Sequence, residues 1–157
     1  MGYIFDIALH KDDLIVLVRL LIAALAGAVI GWNRFRAGKP AGVGTHALVA
    51  LGSALFVSIP IQMSSGHSSD AFTRVVQGIA TGVGFLGAGE IFRDAGGGNR
   101  VHGLTSAAAL WVTAALGIVA GWGSGILIVS ATTIVLLVIV LSPRLERRFH
   151  SKTHEEH

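Results

Sequence analysis

Cysteine is absent from the 157-residue chain, which excludes disulfides, zinc–thiolate centres and thiol nucleophiles. Charge is scarce: only 13% of residues are Asp, Glu, Lys or Arg, about half the usual share of a globular domain. Aromatic residues make up 7% and there are three prolines. Too few polar side chains remain to cover a water-facing surface, and a disordered chain would need low hydrophobicity with high net charge. What is abundant is apolar: 52% of residues are hydrophobic, 21 more are glycine, and mean hydropathy is +0.69. The length suits one domain.

Five apolar stretches approach the length needed to cross a hydrocarbon core about 30 Å thick. They predict an all-α, polytopic membrane protein with spans at about 14–32, 45–61, 75–92, 104–120 and 125–141. Residues 1–13 form an outer segment and 142–157 a basic, solvated tail. The first span is too long for the apolar core of a cleaved signal, and its basic residues follow it. Lys and Arg in the connections decide the orientation. Alternation places nine on one side (Arg34, Arg36, Lys39, Arg93, Arg100 and four in the tail) and two on the other. The positive-inside rule puts the N-terminus outside and the tail in the cytoplasm of a bacterial inner membrane.

Lipid gives helices no hydrophobic reason to associate, so small residues must let backbones approach. Gly27 and Gly31 in the first span, Gly78, Gly82 and Gly89 in the third, and Ser106, Thr113 and Gly117 in the fourth form such stripes. Glycines on several faces of the third span suggest that it is central, and the stripes suggest a homodimer or other homo-oligomer. The uniformly Ile/Leu/Val fifth span reads as the most lipid-exposed. Residues 14–47 and 75–107 also echo one another, with one gap, as a parallel repeat.

Two charges lie within spans, where charge is costly and faces the interior or a partner. Arg19 shares a face with Ala23, Ala26 and Gly27; it points inward, or snorkels outward toward Asp12. Glu90 lies at the opposite depth, near the cytoplasmic end. It binds a cation or proton there, or pairs with a loop arginine. One carboxylate is a thin magnesium site, although Mg²⁺ commonly keeps several waters. No other cofactor is implied. His46, Thr45, Thr105 and Ser106 stand where basic loops re-enter the membrane. With Arg34, Arg36, Lys39, Arg93 and Arg100 they hold an anion or lipid headgroup, or cap helices. No catalytic motif is present, so no enzyme is expected. Gly82–Gly87 spells G-x-G-x-x-G, but inside an apolar span with no strand before it. The basic residues are short loops, which argues against nucleic acid as a partner.

Three stretches together resemble the MgtC/SapB family of bacterial inner-membrane proteins: Arg19–Gly31 (RLLIAALAGAVIG), Gly38–Gly52 (GKPAGVGTHALVALG), and Gly82–Gly89 (GVGFLGAG) continuing through Gly103–Gly117 (GLTSAAALWVTAALG). The likeness covers roughly residues 14 to 141. It implies a link to magnesium homeostasis, and in some pathogens to survival inside host cells. Family members are implied to modulate other membrane proteins, including the rotary ATP synthase, rather than to transport Mg²⁺ directly. A transporter or channel for Mg²⁺ or another small ion is the alternative, and a lipid-binding or assembly factor is a third. The chain departs from the family pattern at Asn33, where glutamate is usual, at Gly44, where arginine is usual, and at Glu90, often apolar. A function resting on that Glu/Arg pair is in doubt here. The family's soluble C-terminal domain has no counterpart in these residues, so the short, membrane-only form is expected.

Overall fold

The computed structural model describes residues 11–63, 69–93 and 101–153. Five helices account for almost all of them: α1 (Lys11–Arg36), α2 (Val43–Met63), α3 (Ser69–Glu90), α4 (Leu104–Trp122) and α5 (Gly125–Thr153). A two-residue antiparallel ladder, β1 (Phe92–Arg93) with β2 (Val101–His102), joins α3 to α4. The sequence reading contains no such ladder, because two-residue strands carry no periodicity.

Local chemistry agrees with these bounds. α1 has Asp12 and Asp13 in its first turn and Arg34 and Arg36 in its last, complementing the helix dipole at both ends. It stops where Gly38 turns left-handed (φ 65°) and the Lys39 amide donates back to the Arg34 carbonyl at 3.1 Å. α4 lies between two left-handed glycines, Gly103 (φ 90°) and Gly123 (φ 97°). The Gly123 amide donates to the Ala120 and Val119 carbonyls, so the last turn closes without a side-chain cap.

Four helices, α1, α2, α4 and α5, are long and apolar enough to cross a membrane. α3 is the exception. Asp70, Arg74, Gln77, Thr81 and its glycines lower its hydropathy. The expected third span at 75–92 is therefore a helix that starts earlier, at Ser69, and stops at Glu90. The fifth helix likewise runs past Leu141 and Pro143 to Thr153, so much of the segment read as a solvated tail is helical.

α4, not α3, is the central helix: it packs against each of the other four. Ser106, Ala109, Thr113, Gly117 and Ala120 are all buried, as the stripe of small residues requires. Half of α4's apolar window is enclosed, against 11% of α5's. Glycine makes the crossings close. A Cβ at Gly117 would fall on the Ala50 carbonyl oxygen and 2.8 Å from Ser53 Cβ; one at Gly31 would lie 2.6 Å from the Gly42 carbonyl oxygen. The α3 stripe behaves differently. Nothing lies within 4 Å of a Cβ built on Gly78, Gly82 or Gly89. Gly78 and Gly82 instead line an open apolar groove of about 680 Å³ between α2 and α3, walled by Leu48, Phe56 and Val75. The expectation that glycines make α3 central fails because Gly78, Gly82 and Gly89 face outward and only Gly87 packs on a neighbouring helix.

The internal echo has a structural counterpart. Gly27 of α1 meets the start of α2 at His46, and Gly87 of α3 meets the start of α4 at Ala107. Likewise Gly31 meets Gly42, and Ile91 meets Gly103. In the second hairpin the contacts on the returning helix fall one residue later, counted from the glycine of the outgoing helix.

Candidate functional site

Arg34 sits in the last turn of α1 and is only 4% exposed. Its position follows from helical spacing: seven residues after Gly27 and four after Ile30, it continues the face that carries Ala23, Gly27 and Ile30 against α2 and α4. Its Nη2 donates a 2.7 Å hydrogen bond to Ser106 Oγ in the first turn of α4. His46, in the first turn of α2, is fully buried. Its Nδ1 lies 3.0 Å from the Gly42 carbonyl oxygen. A carbonyl only accepts, so Nδ1 carries the proton and, in the neutral ring, Nε2 carries a lone pair. Glu90 closes α3, half-buried, and its carboxylate interacts electrostatically with both Arg34 and His46.

Four helix ends thus contribute one polar side chain each to a single junction. It is incompletely satisfied. Arg34 Nε, His46 Nε2 and Glu90 Oε2 are shut off from solvent with no hydrogen-bond partner, in a setting where orphaned polar atoms are costly.

Several expected placements change. Arg34 and His46 are not loop or headgroup contacts: both are inside the bundle. Of the arginines expected near Glu90, Arg34 is the one within its electrostatic reach, and the two form no direct ion pair. Arg36 and Lys39 remain exposed, as expected of basic connections. Arg93 has a described backbone in β1 only, and Arg100 lies outside the described residues. Asn33 is half-buried and Gly44 exposed, with open space where a side chain would stand.

Arg19 lies at the opposite end of the bundle. It neither enters a polar interior nor reaches back to Asp12. Its Nη1 donates to the Gly121 carbonyl at 3.2 Å, and its guanidinium lies against Gly123. A cation at the last carbonyls of α4 complements that helix's dipole. Phe72 and Trp122 meet edge-on at the same end, ring centroids 4.7 Å apart.

Between the two ends the interior is small and apolar: Ala23, Ala26, Ile30, Ala50, Leu116 and Ala120 pack together. The hydroxyls of Thr113 and Ser53 are spent on their own helices, each donating at 2.8 Å to Ala109 and Val49 respectively. Among the described residues, no three His, Cys, Asp or Glu side chains converge as metal ligands.

A bundle of long apolar helices with most of its large hydrophobic side chains turned outward is a multi-pass helical membrane protein. The model of the MgtC family matches residues 20–148, and the chain belongs to that family. It is 53% identical over 138 residues to Protein SrpB of Synechococcus elongatus, covering 82% of this chain and 75% of that protein. It is 37% identical over 143 residues to the "Putative magnesium transporter YhiD" of Escherichia coli K12, covering 88% of this chain and 65% of that protein. It is 39% identical over 134 residues to Protein MgtC of Salmonella typhimurium, covering 85% of this chain and 55% of that protein. The matched region is therefore between about half and three quarters of these relatives' lengths. No solved structure matches the chain.

Proposed function

We propose that the chain is a bacterial inner-membrane protein, N-terminus outside, that serves magnesium homeostasis as a non-enzymatic modulator of other membrane proteins. The link to magnesium rests on family membership and on the name carried by the Escherichia coli relative. The observation that carries the modulator reading is the separation of the charges. Arg34, His46 and Glu90 lie at one end and Arg19 at the other, with close-packed alanine, glycine and branched aliphatics between. An ion crossing through the middle of one copy would meet no charged side chain among the described residues, only hydroxyls such as Ser53 and Thr113, to replace the water that Mg²⁺ surrenders reluctantly. The outward α3 face at Gly78 and Gly82 is where a second copy or a membrane partner would seat a helix.

A transporter is the second reading, favoured by Glu90 with its free carboxylate oxygen at one mouth. Mg²⁺ flux into proteoliposomes, measured with the protein and with Glu90→Gln, separates the two. The modulator reading expects no flux above empty vesicles from folded, inserted protein. Saturable flux that falls in Glu90→Gln overturns it. A lipid-binding role would draw on exposed Arg36 and Lys39 instead, and would fail on their neutralisation.

A further inference from the structure

α3 runs beside α4 for nearly its whole length, in the opposite direction. Near its start Phe72 meets Trp122 at the end of α4, and near its end Gly87 lies against Ala107 in the first turn of α4. Since α4 is long and apolar enough to cross a membrane, α3 occupies the same depths despite its lower hydropathy. Its 22 residues measure about 33 Å, close to the thickness of a hydrocarbon core.

The face that α3 turns away from the bundle is polar and small. Gln77, Gly78, Thr81, Gly84, Phe85 and Ala88 recur at spacings of three and four, share about 120° of arc, and are all exposed. Nothing lies within 4 Å of a Cβ built on Gly78 or Gly84. α5 is the contrast: its outward surface is Ile, Leu and Val, and its exposed Ser130 and Thr133 donate to carbonyls of their own helix. A hydroxyl can turn back in that way. A primary amide cannot, because it carries two donors and a carbonyl, and the helix's own N–H groups are already engaged. Among the described residues the Gln77 side chain has no hydrogen-bond partner. It stands about 12 Å along the helix from Ser69, too deep for its short side chain to reach headgroups, and lipid tails offer it nothing.

This face fits its own copy. Copies insert in one orientation, so a two-fold axis relating them runs along the membrane normal, and each residue of one α3 meets the other α3 at equal depth. A residue near that axis must satisfy itself. Gln77 can, because an amide both donates and accepts; a charge would repel its own image. From Gln77 to Gly89 the helix has no ionisable side chain. Gly84 and Ala88, small residues four apart, let two backbones approach.

We propose that this face seats α3 of a second copy, the two helices packed in parallel about a two-fold axis with their Gln77 amides hydrogen-bonded to each other. Thr81 sits at the centre of the contact. Its proton goes to the Gln77 carbonyl of its own helix at 2.9 Å, which leaves its oxygen free to accept. Arg74, one turn nearer the helix start, snorkels to the surface instead of facing its image. The inference goes beyond the modulator reading, since either a modulator or a transporter could pair in this way.

The absence of cysteine makes the test direct. Single cysteines are introduced as Thr81→Cys and Ala88→Cys on this face and as Leu137→Cys on the outward side of α5, and each is oxidised in native membranes. The first two should give disulfide-linked dimers and the third should not. Energy transfer between labelled copies in liposomes, followed as the protein-to-lipid ratio falls, then measures the equilibrium. Gln77→Leu should weaken association about three- to twentyfold, the range of an interhelical hydrogen bond in lipid. Gly84→Ile should abolish it by holding the backbones apart. Both side chains point away from the bundle, so helical circular dichroism should show both variants folded. No dimer from either α3 cysteine, equal crosslinking at Leu137→Cys, energy transfer unchanged in both variants, or crosslinking to a different protein in place of a second copy each overturns the proposal.

Discussion

The crossing of α4 over α2 at Gly117 is the sharpest place to test the packing, because the atom in the way belongs to a backbone. A Cβ introduced there falls on the Ala50 carbonyl oxygen and 2.9 Å from its carbon. No rotamer change relieves that contact; one helix must move. Forcing an extra methyl into a packed interface costs about 1–3 kcal/mol, while alanine for glycine within a helix returns about 1 kcal/mol of propensity. Gly117→Ala is thus expected to destabilise by up to about 2 kcal/mol. Gly82→Ala is the matched control, with nothing within 4 Å of its Cβ. In a monomer it should stabilise by up to about 1 kcal/mol. Reversible unfolding in mixed micelles, followed by helical circular dichroism, reads both. Equal stability changes in the two variants would refute the α2–α4 crossing. A Gly82→Ala that loses stability only at protein concentrations where the chain self-associates would place a second copy on the α3 face.

Two further substitutions, with a third as control, probe the junction and the turn beside it. Ser106→Ala removes the acceptor of the Arg34 Nη2 bond and should cost about 1–3 kcal/mol in the same unfolding assay, the penalty for a buried donor left unmet; a loss within error would mean Arg34 has another partner. Gly103→Ala should cost at least about 1–2 kcal/mol from its left-handed backbone alone, and more because the new Cβ falls on the Glu90 carbonyl oxygen. Gly38→Ala, left-handed but with open space around it, should show the backbone cost only, and equal losses in the two would refute the contact.

Long runs of Leu, Ile and Val make four of the five helices plain from hydropathy alone, and the α4 stripe is legible because 3.6-residue spacing aligns Ser106, Thr113 and Gly117. Other features were hidden for identifiable reasons. A glycine stripe tells that a face is bare, not what occupies it: Gly117 is pressed on Ala50 and Gly82 faces open space, yet both belong to equally good small-residue patterns. Arg34 reads as a topogenic charge because it precedes a basic connection. Its place on the Gly27–Ile30 face is calculable from spacing, and counting it with the loop conceals that. Glu90 could be placed at the right end from topology, but its sharing of one junction with Arg34 depends on the α1–α4 and α3–α4 packing, which no local pattern encodes.

The hairpin echo explains why the junction exists where it does. Both hairpins return into the bundle through a glycine start, so the N-termini of α2 and α4 lie beside the C-termini of α1 and α3. Helix ends of opposite polarity come together, and each contributes the side chain that its position supplies. Arg34 is favourable at the C-terminal end of α1, whereas Glu90 at the C-terminal end of α3 is unfavourable by the same rule. It is the nearby Arg34 cation and the amino ends of α2 and α4 that offset this. The carboxylate therefore depends on groups from other helices. The junction thus gathers polar groups from four helix ends, whereas in the described midsection between it and Arg19 the hydroxyls of Ser53 and Thr113 already donate to their own helices.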